Sequence, residues 1–165
     1  MTVLKVLTYP DPFLKTITKP VTVFDHELKK FTDNMSETMY SANGIGLAAT
    51  QVGEDKRLFV IDVEYKFDDE GEGVRNPLVM INPVIMEKTD KLFSEEGCLS
   101  VPDYRAEVER FEQLKVKYNQ LDGMEVTVEA DGLFAICIQH ELDHLDGILF
   151  IDKLLQSIIY SLKLI

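Results

Sequence analysis

The stretch "LFAICIQHELDHL", residues 133–145, limits what this chain can fold into more sharply than any other. Phe134, Ile138, Leu142 and Leu145 recur at spacings of three and four, the period of an α-helix with an apolar face. The same helix carries H-E-x-x-H as His140, Glu141 and His144. Helical residues advance by about 100° and about 1.5 Å, which sets His140 and His144 about 40° apart in angle and about 6 Å apart in rise. Both imidazoles can then reach one ion. Glu141 lies about 60° around from His144, displaced to the side, where it addresses a metal-bound water rather than the metal. A histidine pair on an apolar helix can also be an ion-free core or surface pair, so the companion stretches decide.

Two protein ligands fall short of a catalytic zinc or iron site, which normally has three plus water. The chain has two cysteines, and they sit in different settings. Cys137 lies inside the apolar run "LFAICIQH" and reads as a small buried hydrophobe, not a ligand. Cys98 stands in "EEGCLSVP", where Gly97 removes side-chain bulk and lets the backbone come close to an ion or substrate. A Cys98 thiolate is a strong ligand for zinc or ferrous iron, and a Cys-His-His set leaves the fourth position for water. That makes Cys98 the leading candidate for the third ligand, the alternative being an inert buried thiol. His26 is remote, in a helix rich in surface charge.

Around this helix the pattern is mixed. "PVTVFDHELKKFTDNMSETMYSANG" reads as a first helix with Leu28, Phe31, Met35 and Met39 on its apolar face and Asn43-Gly44 as its stop. "RLFVIDV" (57–63) is a buried-strand pattern, and a further strand runs around Leu78–Ile81 and past Pro83 into "VIMEK". Between them "EYKFDDEGEG" is an exposed, mobile loop. "QLKVKYNQLDGMEVTVEADG" is a hairpin with Asp-Gly in its turn. The tail "DKLLQSIIYSLKLI" has the makings of a short apolar-faced helix. The expected fold class is α+β: one domain over residues 1–165, with small antiparallel sheets packed around a central metal-binding helix and an N-terminal helix.

Charge narrows the partners. Seventeen Lys and Arg against 29 Asp and Glu give a net charge of −12, which argues against stable nucleic-acid binding. No apolar run reaches the roughly 18 residues of a membrane span. The start, "MTVLKVLTYPDPFLK", lacks the features of a signal peptide, so a cytoplasmic location and no disulfide are the expectation.

"GIGLAATQ" (44–51), "EGCLS" (96–100) and "QHELDH" (139–144) resemble, in order and spacing, the three signature motifs of the peptide deformylases. The likeness runs from "VLTYPDPFLK" through "MINP" to "GILFIDKL", and is closest to the bacterial type with a short acidic insertion. The resemblance implies removal of the formyl group from the N-terminal formylmethionine of newly made proteins. It implies one divalent ion, Fe2+ first, with Zn2+, Ni2+ or Co2+ able to occupy the site. Cys98, His140 and His144 would be its ligands and Glu141 the general base and acid; Gln51 and the backbone N–H of Leu99 would stabilise the oxyanion.

The substrate side follows in the same way. Gly44 and Gly46 can free backbone groups to pair with an extended peptide, with Ile45 and Gly46 recognising its main chain. Ile45, Leu133, Ile136 and Cys137 would line the pocket for the methionine side chain. Glu96 and Gly97 flank the third ligand on the substrate side, and Arg105 is a candidate contact to the peptide. Arg110 is a candidate ion-pair partner for Glu96 at the base of the site, and Asp143 a group orienting a ligand histidine. The longer, basic C-terminal helix with which some relatives contact the ribosome is reduced here to "LQSIIYSLKLI", leaving a transient ribosome contact with weak support. A metalloprotease would need a downstream Glu or His ligand, and a structural metal module would need a fourth protein ligand. A catalytically silent relative would lack one of the residues that are all present.

Overall fold

The computed structural model describes residues 1–65 and 73–154. Among the described residues two complete α-helices, α1 (His26–Ser41) and α2 (Gly132–Leu145), accompany five strands: β1 (Gly46–Ala48), β2 (Leu58–Ile61), β3 (Leu78–Cys98), β4 (Val101–Asn119) and β5 (Glu125–Asp131), and residues 150–154 are also helical. The strands form one antiparallel sheet in chain order, with β1 at its edge. The expected C-terminal helix falls largely on residues 155–165, and most of the acidic loop on residues 66–72, both outside the described residues.

Each helix end has a physical cause. The Asp25 side chain accepts the Leu28 N–H at 2.9 Å and caps α1. At the other end Asn43 takes the left-handed conformation (φ 56°) that stops the helix, while Gly44 N–H bonds back to the Met39 carbonyl. The stop expected at Asn43-Gly44 is therefore made by the asparagine. Gly44 is needed for another reason: a Cβ there would stand 2.8 Å from Leu99 Cδ1. α2 ends at Gly147 (φ 71°), where a Cβ would overlap the Lys15 carbonyl oxygen, and Thr18 donates both its N–H and Oγ1–H to the Leu145 carbonyl.

β1 and β2 lie between the helices. Phe59 and Ile61 pack with Ala135, Ile138 and Leu145 of α2, whereas Leu58 and Val60 pack with Met35 and Met39 of α1. Burial on both faces is why β2 reads as an unbroken apolar run. β3 and β4 extend much further than their apolar patterns reach, to 21 and 19 residues. From Glu87 to Lys91, β3 is exposed on both faces, so no alternation betrays it. Register shifts bend this ribbon, and the one between Gly97 and Cys98 leaves Pro102–Tyr104 without partners on β3. The β4–β5 hairpin closes through Gly123 (φ 83°), in the Asp-Gly turn the sequence indicates.

Candidate active site

The C-terminal half of α2 faces the end of β3, so His140, Glu141 and His144 meet a cysteine 42 residues before the first of them. One ligand atom each from Cys98, His140 and His144 lie within 4.8 Å of one another, with Cys98 Sγ 3.2 Å from His144 Nε2. Among the described residues no other group of His, Cys, Asp and Glu comes together in this way. Cys137 stays outside it. Its thiol is buried, points to the Ile45 carbonyl at 3.8 Å, and is pushed well above its ordinary value by burial and then by the Glu141 charge.

The charges around this trio fit a cation. Burial alone would push His140 down, but bonds to Cys98 and Glu96 and the nearby Glu141 overcome it and raise it to about 10. His144, by contrast, is driven well below its ordinary value by burial and by the His140 and Arg110 charges, which keeps a neutral nitrogen for coordination. Three protein donors of sulfur and nitrogen suit zinc or ferrous iron and leave a position open.

Glu141 is 3% exposed and its Oε2 has no protein partner. Burial drives its carboxyl up to about 7, with the His140 charge opposing and the Glu96 charge adding to the rise. A group poised near neutrality is suited to taking and returning a proton. It fits only because residue 46 is glycine: a Cβ there would overlap Glu141 Oε1 and stand 2.9 Å from Cys137 Sγ.

Behind His140 lies a bonded network. Glu96 Oε1 accepts from His140 Nδ1 at 2.8 Å, and Arg110 donates to both Glu96 oxygens at 2.7 and 2.8 Å. Burial pushes Glu96 up, but hydrogen bonds from Arg110 and His140 overcome this and hold it at about 2. The carboxylate hydrogen-bonded to His140 is therefore Glu96. Asp143, expected in that role, instead binds Arg110 Nη1 at 2.6 Å and Lys153 at 3.2 Å. Both Glu96 oxygens are engaged in this way.

Gln51 comes from a short 3-10 turn after β1. Its Oε1 accepts the Ala48 N–H at 2.8 Å, which aims Nε2 at Ser100 Oγ (3.1 Å) and Cys98 Sγ (3.6 Å). Leu99 and Ser100 form the tight turn joining β3 to β4 beside it.

Above these groups opens a cavity of about 770 Å³. The residues singled out for the site in the sequence line it, except His144, which lies buried beneath, and Arg110 and Asp143, which stand behind Glu96 and His140. Leu133 and Ile45 stand at its mouth, and Arg105, 70% exposed, is 3.5 Å from Glu95. The sequence did not point to Ser94, Pro102, Asp103 or Tyr104. The irregular stretch of β4 after Val101 brings the last three to the rim.

β1 supplies an open strand edge. Asp62 N–H donates to the Ile45 carbonyl at 2.9 Å, and Gly46 faces Ile61 across the ladder. Main-chain groups of successive residues point to opposite sides of an antiparallel strand. The Ile45 carbonyl therefore belongs to β2, and the Gly46 N–H and C=O point toward the open edge.

The family model of the polypeptide deformylases matches residues 3–157. The chain belongs to this family. A peptide deformylase from Brucella suis biovar 1 is 51% identical over 155 residues, spanning 93% of this chain and 86% of that protein. The crystal structure of the deformylase from Thermotoga maritima superposes with a TM-score of 0.85 at 42% identity, covering 93% of this chain and 98% of that one. The Met-Ala-Ser-bound class I type b deformylase from Acinetobacter baumannii gives 0.83 at 39%, covering 92% and 98%. As a deformylase the chain is an enzyme, a metallo-hydrolase of protein biosynthesis. Among the described residues no helix is long and apolar enough to cross a membrane.

Proposed function

We propose that this enzyme hydrolyses the formyl group from the N-terminal formylmethionine of nascent polypeptides in the cytoplasm. Cys98, His140 and His144 would hold one divalent ion, Fe2+ first, with Zn2+, Ni2+ or Co2+ as substitutes. Bound there, the ion supplies Lewis acidity, making water a stronger acid and polarising a carbonyl.

The protein's own groups divide the rest of the work. Glu141 Oε2 takes the proton of the attacking water and delivers it to the departing amine nitrogen. Gln51 Nε2 and the Leu99 N–H meet the charge that develops on the formyl oxygen. Glu96, braced by Arg110, keeps His140 in its orientation. The methionine side chain enters the apolar wall formed by Ile45, Leu133, Ile136 and Cys137. The peptide main chain runs along Gly44 and Gly46 at the β1 edge and past Gly97, and Arg105 meets it further out. A peptide beginning with Met as occupant is supported by the Met-Ala-Ser bound to the Acinetobacter relative.

The observation that carries this reading is the unpartnered, buried Glu141 Oε2 beside ligand atoms that, among the described residues, number three and not four. The test is formate release from a formyl-Met-Ala-Ser peptide by protein purified anaerobically with ferrous iron. Glu141→Ala and Cys98→Ala should abolish it, the first with its metal retained. Full activity in Glu141→Ala would refute the mechanism, and an inactive, metal-loaded wild type would refute the function.

A further inference from the structure

Asp62 is 5% exposed, carries a carboxylate that the reaction does not use, and sits directly behind the strand on which the peptide would lie. Its Oδ2 accepts two hydrogen bonds, from Tyr40 Oη at 2.6 Å and from the Asn76 N–H at 2.9 Å. Its own N–H makes the bond to the Ile45 carbonyl. Tyr40 is itself fixed: its ring packs against Tyr65 at 4.6 Å, and the Arg75 guanidinium lies over it at 4.7 Å, held by Glu37 at 2.9 Å. Asn43 N–H bonds to the Tyr40 carbonyl, so the same residue anchors the turn that leads into Gly44.

We infer that Asp62, with Tyr40 as its partner, is a positioning residue for substrate. It locks the Gly44–Ile45–Gly46 segment in the extended form that pairs with the peptide main chain. Three pieces of chain converge on one carboxylate: the end of α1 through Tyr40, the end of β2 through Asp62 itself, and the approach to β3 through Asn76. Without it Ile45 is still bonded to residue 62, but residue 62 is no longer fixed. The segment must then be ordered anew at each binding event, a cost that falls on association. The reacting groups hang from other supports. Glu141 and the histidines ride on α2, Cys98 on β3, and Gln51 is tied to Ser100 and to Ala48, the far end of β1, which pairs with Phe59 rather than with Asp62. A perturbation that weakens the bound substrate and the transition state equally raises KM and leaves kcat unchanged.

This rests on the β1 edge being the peptide-binding strand, and the experiment separates the two. Asp62→Ala, Tyr40→Phe and Asp62→Asn are compared with wild type for metal content, for kcat and KM on formyl-Met-Ala-Ser, and for the Kd of Met-Ala-Ser by calorimetry. Asp62→Ala and Tyr40→Phe should raise KM and Kd about tenfold, with kcat within about twofold and metal content unchanged. Asp62→Asn should recover wild-type values, because a single amide oxygen can accept both bonds now made to Oδ2. Tyr40→Phe keeps the packed ring and serves where Asp62→Ala does not fold. A fall in kcat at constant KM, unchanged KM and Kd in Tyr40→Phe, or no recovery in Asp62→Asn would overturn the inference. Absence of formate release by wild type would overturn the proposed function and leave the Kd comparison intact.

Discussion

Arg110→Met removes a guanidinium, 3% exposed, that makes three charge-assisted bonds to Glu96 and Asp143. Its worth is read from Glu96, held at about 2 against an ordinary 4.5. That difference of about 2.5 units at ~1.4 kcal/mol each is ~3 kcal/mol of stability at neutral pH, part of it belonging to His140. The sign follows from the direction of the shift. A carboxyl whose folded value lies below its unfolded value contributes fully above the unfolded value, here about 4.5, and loses that contribution as pH falls through about 2. Methionine fills similar volume without charge, and leaves Glu96 buried with only His140 beside it. Urea unfolding followed by circular dichroism should show a loss of about 3 kcal/mol at pH 7 that shrinks as acid is added. The double variant Glu96→Gln/Arg110→Met should be more stable than Arg110→Met alone, because the stranded charge is gone. A single-variant loss below about 1 kcal/mol, or a double variant less stable than the single, would refute the reasoning.

Gly46→Ala should keep its metal and lose formate release by at least about a hundredfold, since the new methyl must displace Glu141; metal analysis and kinetics on one preparation check this. Gln51→Ala should lower kcat about tenfold to a thousandfold through the lost oxyanion donor. It should also lower the melting temperature, because the buried Ala48 N–H loses its acceptor. Gly147→Ala should destabilise by more than about 1 kcal/mol in urea, from the left-handed φ of 71° and the overlap with Lys15, with kcat unchanged in the protein that folds. Chelation should lower the melting temperature of wild type, reversibly on adding zinc, and have no such effect on Cys98→Ala.

Local chemistry was legible wherever a period or a cap announced itself. α1 follows from the three- and four-residue spacing of Leu28, Phe31, Met35 and Met39 and the break at Asn43-Gly44. β2 follows from its unbroken apolar run, and the β4–β5 hairpin from alternation about an Asp-Gly turn. The distal part of β3 was not legible, because a two-stranded ribbon with both faces in water imposes no apolar alternation on its residues. The reach of Asp103 and Tyr104 to the cavity rim was hidden for a related reason: it depends on a register shift that no residue type signals.

At the site, the sequence by itself determined the two histidines and the glutamate between them, because i and i+4 on a helix share a face whatever the rest of the chain does. It also put forward Cys98, through the chemistry of a thiolate beside a glycine. Only the tertiary structure decided that Cys98 Sγ comes to 3.2 Å from His144, that Glu96 rather than Asp143 holds His140, and that the Ile45 carbonyl is already bound by Asp62. Those facts depend on strand register and on where β3 crosses the end of α2. Both are set by packing between segments far apart in the chain, and no local pattern carries that information.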